Sequence, residues 1–201
     1  STALSSKAAI QMKSGKKDSA MLSLIESIQK DPYNGNAYIN LGILLREKNL
    51  SSEASTWVEK AIVILKSQPY KDKQLASAYA QLGYCYLDLK EYSKMQDSFE
   101  KALKYNEDHI GVYGFLYYSK LFISDWHELE ILKQNTLLKI NEEKNVCSPF
   151  NSYSLTDDPK VQYNVAKKYS EEKYKYMRLN INSDFFKNKI HEKPRIAYIS
   201  G

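Results

Sequence analysis

The residues best able to do chemistry are few and scattered. His109, His127 and His191 have no ligand-like spacing to one another or to cysteine. Cys85 and Cys147 stand alone, without a Cys-x-x-Cys pair, and read as reduced thiols of a cytoplasmic protein rather than as a disulfide framework. Asp157-Asp158 could be a paired-carboxylate site, but Pro159 follows at once, and a helix cap accounts for both. The seven glycines form no phosphate-cradling loop. No metal site and no catalytic residue can therefore be placed on this chain, and its function must lie in what its surfaces hold.

Those surfaces are built by repeats. From Gly35 to Leu65, apolar residues recur every three or four positions in two segments, broken at Lys48-Asn49-Leu50-Ser51. Leu41-Gly42 returns as Leu82-Gly83, and Trp57-Val58-Glu59-Lys60-Ala61 returns as Ser98-Phe99-Glu100-Lys101-Ala102. Upstream, Ala8, Ala20, Leu24, Ser27 and Pro32 fall about 34 residues before Gly42, Ala54, Val58, Ala61 and Lys66. This pattern resembles the tetratricopeptide repeat, a helix-turn-helix unit. The resemblance implies an all-α, right-handed solenoid of helical hairpins, with small residues where paired helices touch.

Read along the chain, repeat one spans about 1–34. Its helices are Leu4–Lys13 and a second that Asp18 or Ser19 can cap. Repeat two has a second helix running to Ser67. The interval from Leu41 to Leu82 exceeds one period by seven residues, which are assigned to that helix and the break Gln68–Asp72. Repeat three covers about 75–106, with Met95 where a small residue is expected. Repeat four starts at Ile110 and then degenerates. Its second half, Trp126–Ile140, keeps Leu129, Leu132 and Leu137 but lacks the small residues, as a capping repeat does. Tyr113, Tyr117 and Tyr118 are expected to pack where the array joins its connector.

The array is thus assigned to 1–145 and a second unit to 146–201. Ser148-Pro149-Phe150 and Ser152-Tyr153-Ser154 read as an irregular connector. A connector helix should then run from Asp157-Asp158-Pro159 to about Met177. Pro194-Arg195-Ile196-Ala197-Tyr198-Ile199-Ser200-Gly201 reads as a terminal strand. A lone strand leaves its backbone groups unpaired, and strand then glycine is how an open α/β domain begins, so the natural protein is expected to continue.

Bulk properties narrow the partners. No stretch approaches the roughly 18 apolar residues of a membrane span, which argues against a membrane protein. Residues 1–159 carry 19 Lys/Arg against 20 Asp/Glu, and 160–201 carry 10 against 4. Tyr163, Tyr169, Tyr174 and Tyr176 lie among the tail lysines, so a nucleic-acid adaptor is conceivable. A solvated face, or one docked on an acidic surface, is the preferred reading over nucleic acid. Self-association is left open.

The second half also carries a family resemblance. Asp125-Trp126, Ser148-Pro149-Phe150, Asp157-Asp158-Pro159 and Arg195-Ile196-Ala197-Tyr198-Ile199-Ser200, in that order behind the array, are similar to the protein O-linked N-acetylglucosamine transferases and SPINDLY-type enzymes, particularly bacterial ones. Ala197 departs from the glycine usual in that strand. The resemblance implies a two-lobed catalytic domain beyond Gly201, using a nucleotide sugar such as UDP-GlcNAc. It places no cofactor on the present residues.

The resemblance further implies that first helices line a concave face, where asparagines clamp an extended peptide. Asn40 holds that ladder position; Ser6, Gln81 and Phe115 are its equivalents. An amide both donates and accepts, so it can hold backbone without reading sequence. By repeat position Asn36, Ile43, Arg46, Glu47, Ser77, Tyr84 and Asp88 should face the same groove. The expected function is a peptide-binding module that presents acceptor proteins to a downstream glycosyltransferase. The alternative is a free-standing scaffold for protein assembly with no enzymatic link.

Overall fold

The computed structural model describes residues 2–174, all of its regular structure helical. The expected strand at 194–201, His191 and the stretch around Met177 lie outside the described residues. Four hairpins follow one another: α1 (Thr2–Lys13) with α2 (Lys17–Lys30), α3 (Gly35–Glu47) with α4 (Ser51–Lys66), α5 (Asp72–Asp88) with α6 (Tyr92–Tyr105), and α7 (Val112–Phe122) with α8 (Leu129–Asn141). The short α9 (Pro149–Leu155) packs on α7, and α10 (Pro159–Lys173) on α8 and α9. Each hairpin packs on the next, giving a helical solenoid.

Close approach within a hairpin is set by one small residue. A Cβ added to Gly42 would meet Val58 Cγ2 at 2.5 Å, and one on Gly83 would meet Phe99 Cε1 at 2.6 Å. Only glycine lets those helices come so near. In the fourth hairpin Tyr117 stands one period after Gly83, and α7 and α8 touch far less than the earlier pairs do. The connector takes up the lost contact: Cys147 and Asn151 close on Gly114, where an added Cβ would lie 2.7 Å from the Cys147 sulfur. Tyr117 is buried with Val146, Cys147 and Leu155, and Tyr113 packs against that cluster, as the junction role requires. Tyr118 meets Phe150 at 6.2 Å between ring centroids.

The hairpin turns share a backbone device. Gly15, Asn49, Lys90 and Ser124, each one repeat from the next, have φ of 73°, 62°, 60° and 56°. The fourth turn therefore keeps the repeat geometry although its sequence has drifted.

Several expected details are corrected. Neither Asp18 nor Ser19 caps α2, because the helix starts at Lys17 and its cap residue is Lys16; Asp18 instead accepts from Lys48 Nζ at 2.6 Å. Asp72, assigned to the break, opens α5, so part of the seven-residue surplus is helical. Trp126 is 67% exposed and precedes α8, which begins at Leu129. The six intervening residues are gathered by Asp125, which binds Lys120 Nζ (2.6 Å), Gln96 Nε2 (2.9 Å) and the His127 amide (3.0 Å). The stretch 149–155 is not irregular: Ser148 accepts from the Asn151 amide at 3.2 Å and starts a helix with Pro149 in its first turn. Asp158 caps α10 through the Lys160 amide at 2.8 Å, as expected, but the helix stops at Lys173. Met95 is fully buried in the main core, its flexible thioether filling the space where a smaller residue would sit.

Candidate functional site

The first helices of the hairpins present one groove. Asn36, Asn40 and Ile43 come from α3, Ser77 and Gln81 from α5, and Ser5, Ser6 and Ala9 from α1. Ile39, Lys73, Gln74 and His109 complete the wall of a hollow of about 520 Å³. Five of the nine expected site residues thus share it. Lys73, Gln74 and His109 were not foreseen; repeat register alone could have placed the first two, one turn before Ser77 and two before Gln81 on α5.

The chemistry of this hollow is near neutral. No carboxylate lines it, and its cationic groups are Lys73 and, when protonated, His109. Burial pushes the His109 imidazole down from its ordinary pKa, against the weaker pull of its bond to the Ile110 carbonyl, and so favours the neutral ring. Amides and hydroxyls dominate the remaining polar lining. The Gln81 Oε1 atom is buried and has no hydrogen-bond partner, whereas the Ser77 hydroxyl donates to the Lys73 carbonyl at 3.1 Å. Turned toward the hollow, this unsatisfied carbonyl oxygen would accept from a peptide N–H.

The other four expected residues sit elsewhere. Arg46, Glu47 and Asp88 line a second hollow of about 570 Å³ with Asn49 and Ser51–Glu53. Their charges are used between repeats: Glu47 pairs with Lys17 at 2.9 Å, and Asp88 accepts from Ser51 at 2.9 Å and lies 3.8 Å from Arg46. Tyr84 is half-buried, its ring 5.3 Å from the Arg46 guanidinium carbon and packed edge-on against Phe99 and Phe115. Burial pushes its hydroxyl up to about 12, so it stays protonated. Phe115, at the fourth ladder position, is thereby committed to packing.

Among the described residues no three His, Cys, Asp or Glu side chains converge to hold a metal ion, and no helix is long and apolar enough to cross a membrane.

The profile of the tetratricopeptide repeat matches residues 76–109. The α5–α6 hairpin thus matches a tetratricopeptide repeat, and the other hairpins share its fold. Solved structures, tetratricopeptide domains among them, superpose on the chain. The first such domain of Spaghetti (RPAP3) bound to an HSP90 peptide has a TM-score of 0.55 at 18% identity, over 62% of this chain and 93% of that one. A Thermobaculum terrenum O-GlcNAc transferase gives 0.57 at 21% identity, over 67% of this chain and 25% of that one. MamA gives 0.57 at 19%, over 90% and 96%. At these identities the likeness is one of fold. Among curated proteins, the human protein O-mannosyl-transferase TMTC3 is 30% identical over 87 residues, which is 43% of this chain and 9% of that protein.

Proposed function

We propose that the α1–α3–α5 groove binds extended polypeptide through its backbone, and that the module serves as the acceptor-selecting arm of a cytoplasmic protein O-glycosyltransferase. The observation that carries the binding reading is the near-neutral, amide-lined hollow that Asn40 and Gln81 both line, the Gln81 oxygen being without a partner. A peptide unit offers one donor and one acceptor per residue, so amide side chains can hold it whatever its sequence. Such tolerance suits an enzyme that modifies Ser and Thr hydroxyls in many unstructured segments. The enzymatic link is supported by the order of motifs behind the array. One relative is named a protein O-mannosyl-transferase, and one protein of like fold is named an O-GlcNAc transferase. Catalysis and the nucleotide sugar would belong to a domain beyond Gly201.

The test has two parts. Titration of a labelled, unstructured Ser/Thr-rich peptide should give saturable binding that Asn40→Ala weakens roughly tenfold, the worth of one or two backbone hydrogen bonds. Unchanged affinity would remove the groove from the reading. Incubating the full natural protein with a radiolabelled nucleotide sugar and the same peptide should transfer label to it. Binding without transfer would leave a scaffold, the non-enzymatic alternative.

A further inference from the structure

A third recess lies away from both hollows, where the end of α8 meets α10. Its volume is about 340 Å³, within the range of small ligand clefts. One wall is α10, on which Lys160, Asn164, Lys167, Lys168 and Glu171 form a single stripe at helical spacing. The other is the α8 terminus, with Asn141, Glu143 and Lys144. Buried Ile140 and Val165 fix the two walls on the junction core, and Asn145 Nδ2 donates to Glu172 Oε2 at 2.6 Å across them.

The charge of this recess is not internally spent. Lys144 is held by Asp108 at 2.8 Å and Glu142 at 3.1 Å. Lys160, Lys167 and Lys168, by contrast, form no ion pair among the described residues, and neither Glu143 nor Glu171 pairs with a lysine there. Four lysines thus face two carboxylates, around amides that can bond a peptide backbone. Exposed lysines such as Lys7, Lys16 and Lys104 also lack an ion pair among the described residues, but they are scattered, whereas Lys160, Lys167 and Lys168 line one concavity.

We propose that this cleft docks an acidic segment of a partner polypeptide, its carboxylates meeting the three unspent lysines and its backbone meeting the Asn141 and Asn164 amides. A nucleic-acid strand fits less well, since single-strand sites couple basic groups to stacking aromatic faces and no aromatic side chain lines the recess.

The 201-residue chain is titrated into a fluorescein-labelled peptide of alternating Glu and Ser, at low salt, and anisotropy is read. Lys160→Gln/Lys167→Gln/Lys168→Gln should weaken binding roughly tenfold or more, because three screened contacts are lost together. Lys7→Gln/Lys16→Gln/Lys104→Gln removes the same charge from sites elsewhere and should change it less than about twofold. Glu171→Gln, which removes a carboxylate from the cleft, should tighten binding about twofold. Asn40→Ala should leave it unchanged, so that failure of the cleft and failure of the groove are told apart. Equal loss in both triple variants, no binding by the parent chain, or a single-stranded oligonucleotide that outcompetes the peptide would each overturn the proposal.

Discussion

The backbone of Gly83 lies against the ring of Phe99, so close that a methyl group there would stand 2.6 Å from Cε1 and 2.8 Å from Cδ1 and Cζ. The ring has nowhere to go. It is fully buried and flanked by Tyr84 and Phe115 at centroid distances of 5.3 and 5.8 Å. Gly83→Ala should therefore destabilise the chain by about 1–3 kcal/mol, the usual cost of overpacking, seen as a lowered thermal midpoint by circular dichroism. A variant as stable as the parent would mean that α5 and α6 are not in the contact described.

Lys90 sits at the turn position that Gly15 fills in the first repeat, with φ of 60° and an exposed side chain. A left-handed backbone strains any residue bearing a Cβ. Lys90→Gly should thus stabilise the chain by about 0.5–1 kcal/mol despite the greater freedom glycine has when unfolded. Gly15→Ala, with φ of 73° and open space around it, should destabilise by a similar amount through strain alone. Chemical denaturation of the pair gives opposite signs or refutes the shared turn.

How legible these features were in the sequence depended on whether a residue type is unique to its task. Glycine at 42 and 83 has one explanation at a helix contact, so the hairpins could be read directly. Ser124 performs the same turn as Gly15, but serine is not confined to left-handed backbone, and the fourth turn stayed hidden. Tyr117 displaced the glycine of its repeat, and no local pattern reveals that α9 would then be the element packed at Gly114. The proline of Ser148-Pro149-Phe150 suggested a break, whereas it occupies a first helical turn where its missing N–H is harmless. The groove was half legible: repeat register found Asn40 and Gln81, while Arg46, Glu47 and Asp88 share that register but are drawn into charge pairs between repeats.

Asp125 governs an acid-sensitive element. Its carboxyl is held down at about 2 from an ordinary 3.8, first by the Lys120 hydrogen bond, then by Gln96 and the His127 amide. The folded form takes up this proton later than the unfolded form. Its contribution is therefore complete above about pH 4 and lost as pH falls toward 2. Asp125→Asn should start less stable at pH 7, since it leaves the buried Lys120 ammonium without its counter-charge. Across the pH 4 to 2 window it should lose less stability than the parent. Parallel acid slopes in urea titrations would contradict the assignment.

Both thiols should be inert in the folded chain. Burial pushes Cys147 up to about 12 and Cys85 up to about 11, the latter only partly offset by Arg46. The thiolate is the reacting form, so alkylation by iodoacetamide at pH 8 should be on the order of 100-fold slower than in denaturant. Mass spectrometry should find both cysteines modified together as the chain unfolds. Early, selective labelling of Cys147 would show that α9 detaches from Gly114 while the array remains folded.

Gln81 separates stability from binding. Its Oε1 is buried without a hydrogen-bond partner, a state that costs about 1–3 kcal/mol relative to a satisfied oxygen. Methionine has nearly the same length and volume and no polar atom needing a partner. Gln81→Met should therefore leave stability unchanged or raise it by up to about 1 kcal/mol. The same substitution removes the carbonyl that would accept from a peptide N–H once the side chain turns toward the hollow, and should weaken binding of an unstructured peptide roughly five- to tenfold. Denaturation and anisotropy on one variant then read opposite signs. If stability and affinity fell together, Gln81 would be a structural residue and the groove would lose one of its two amide contacts.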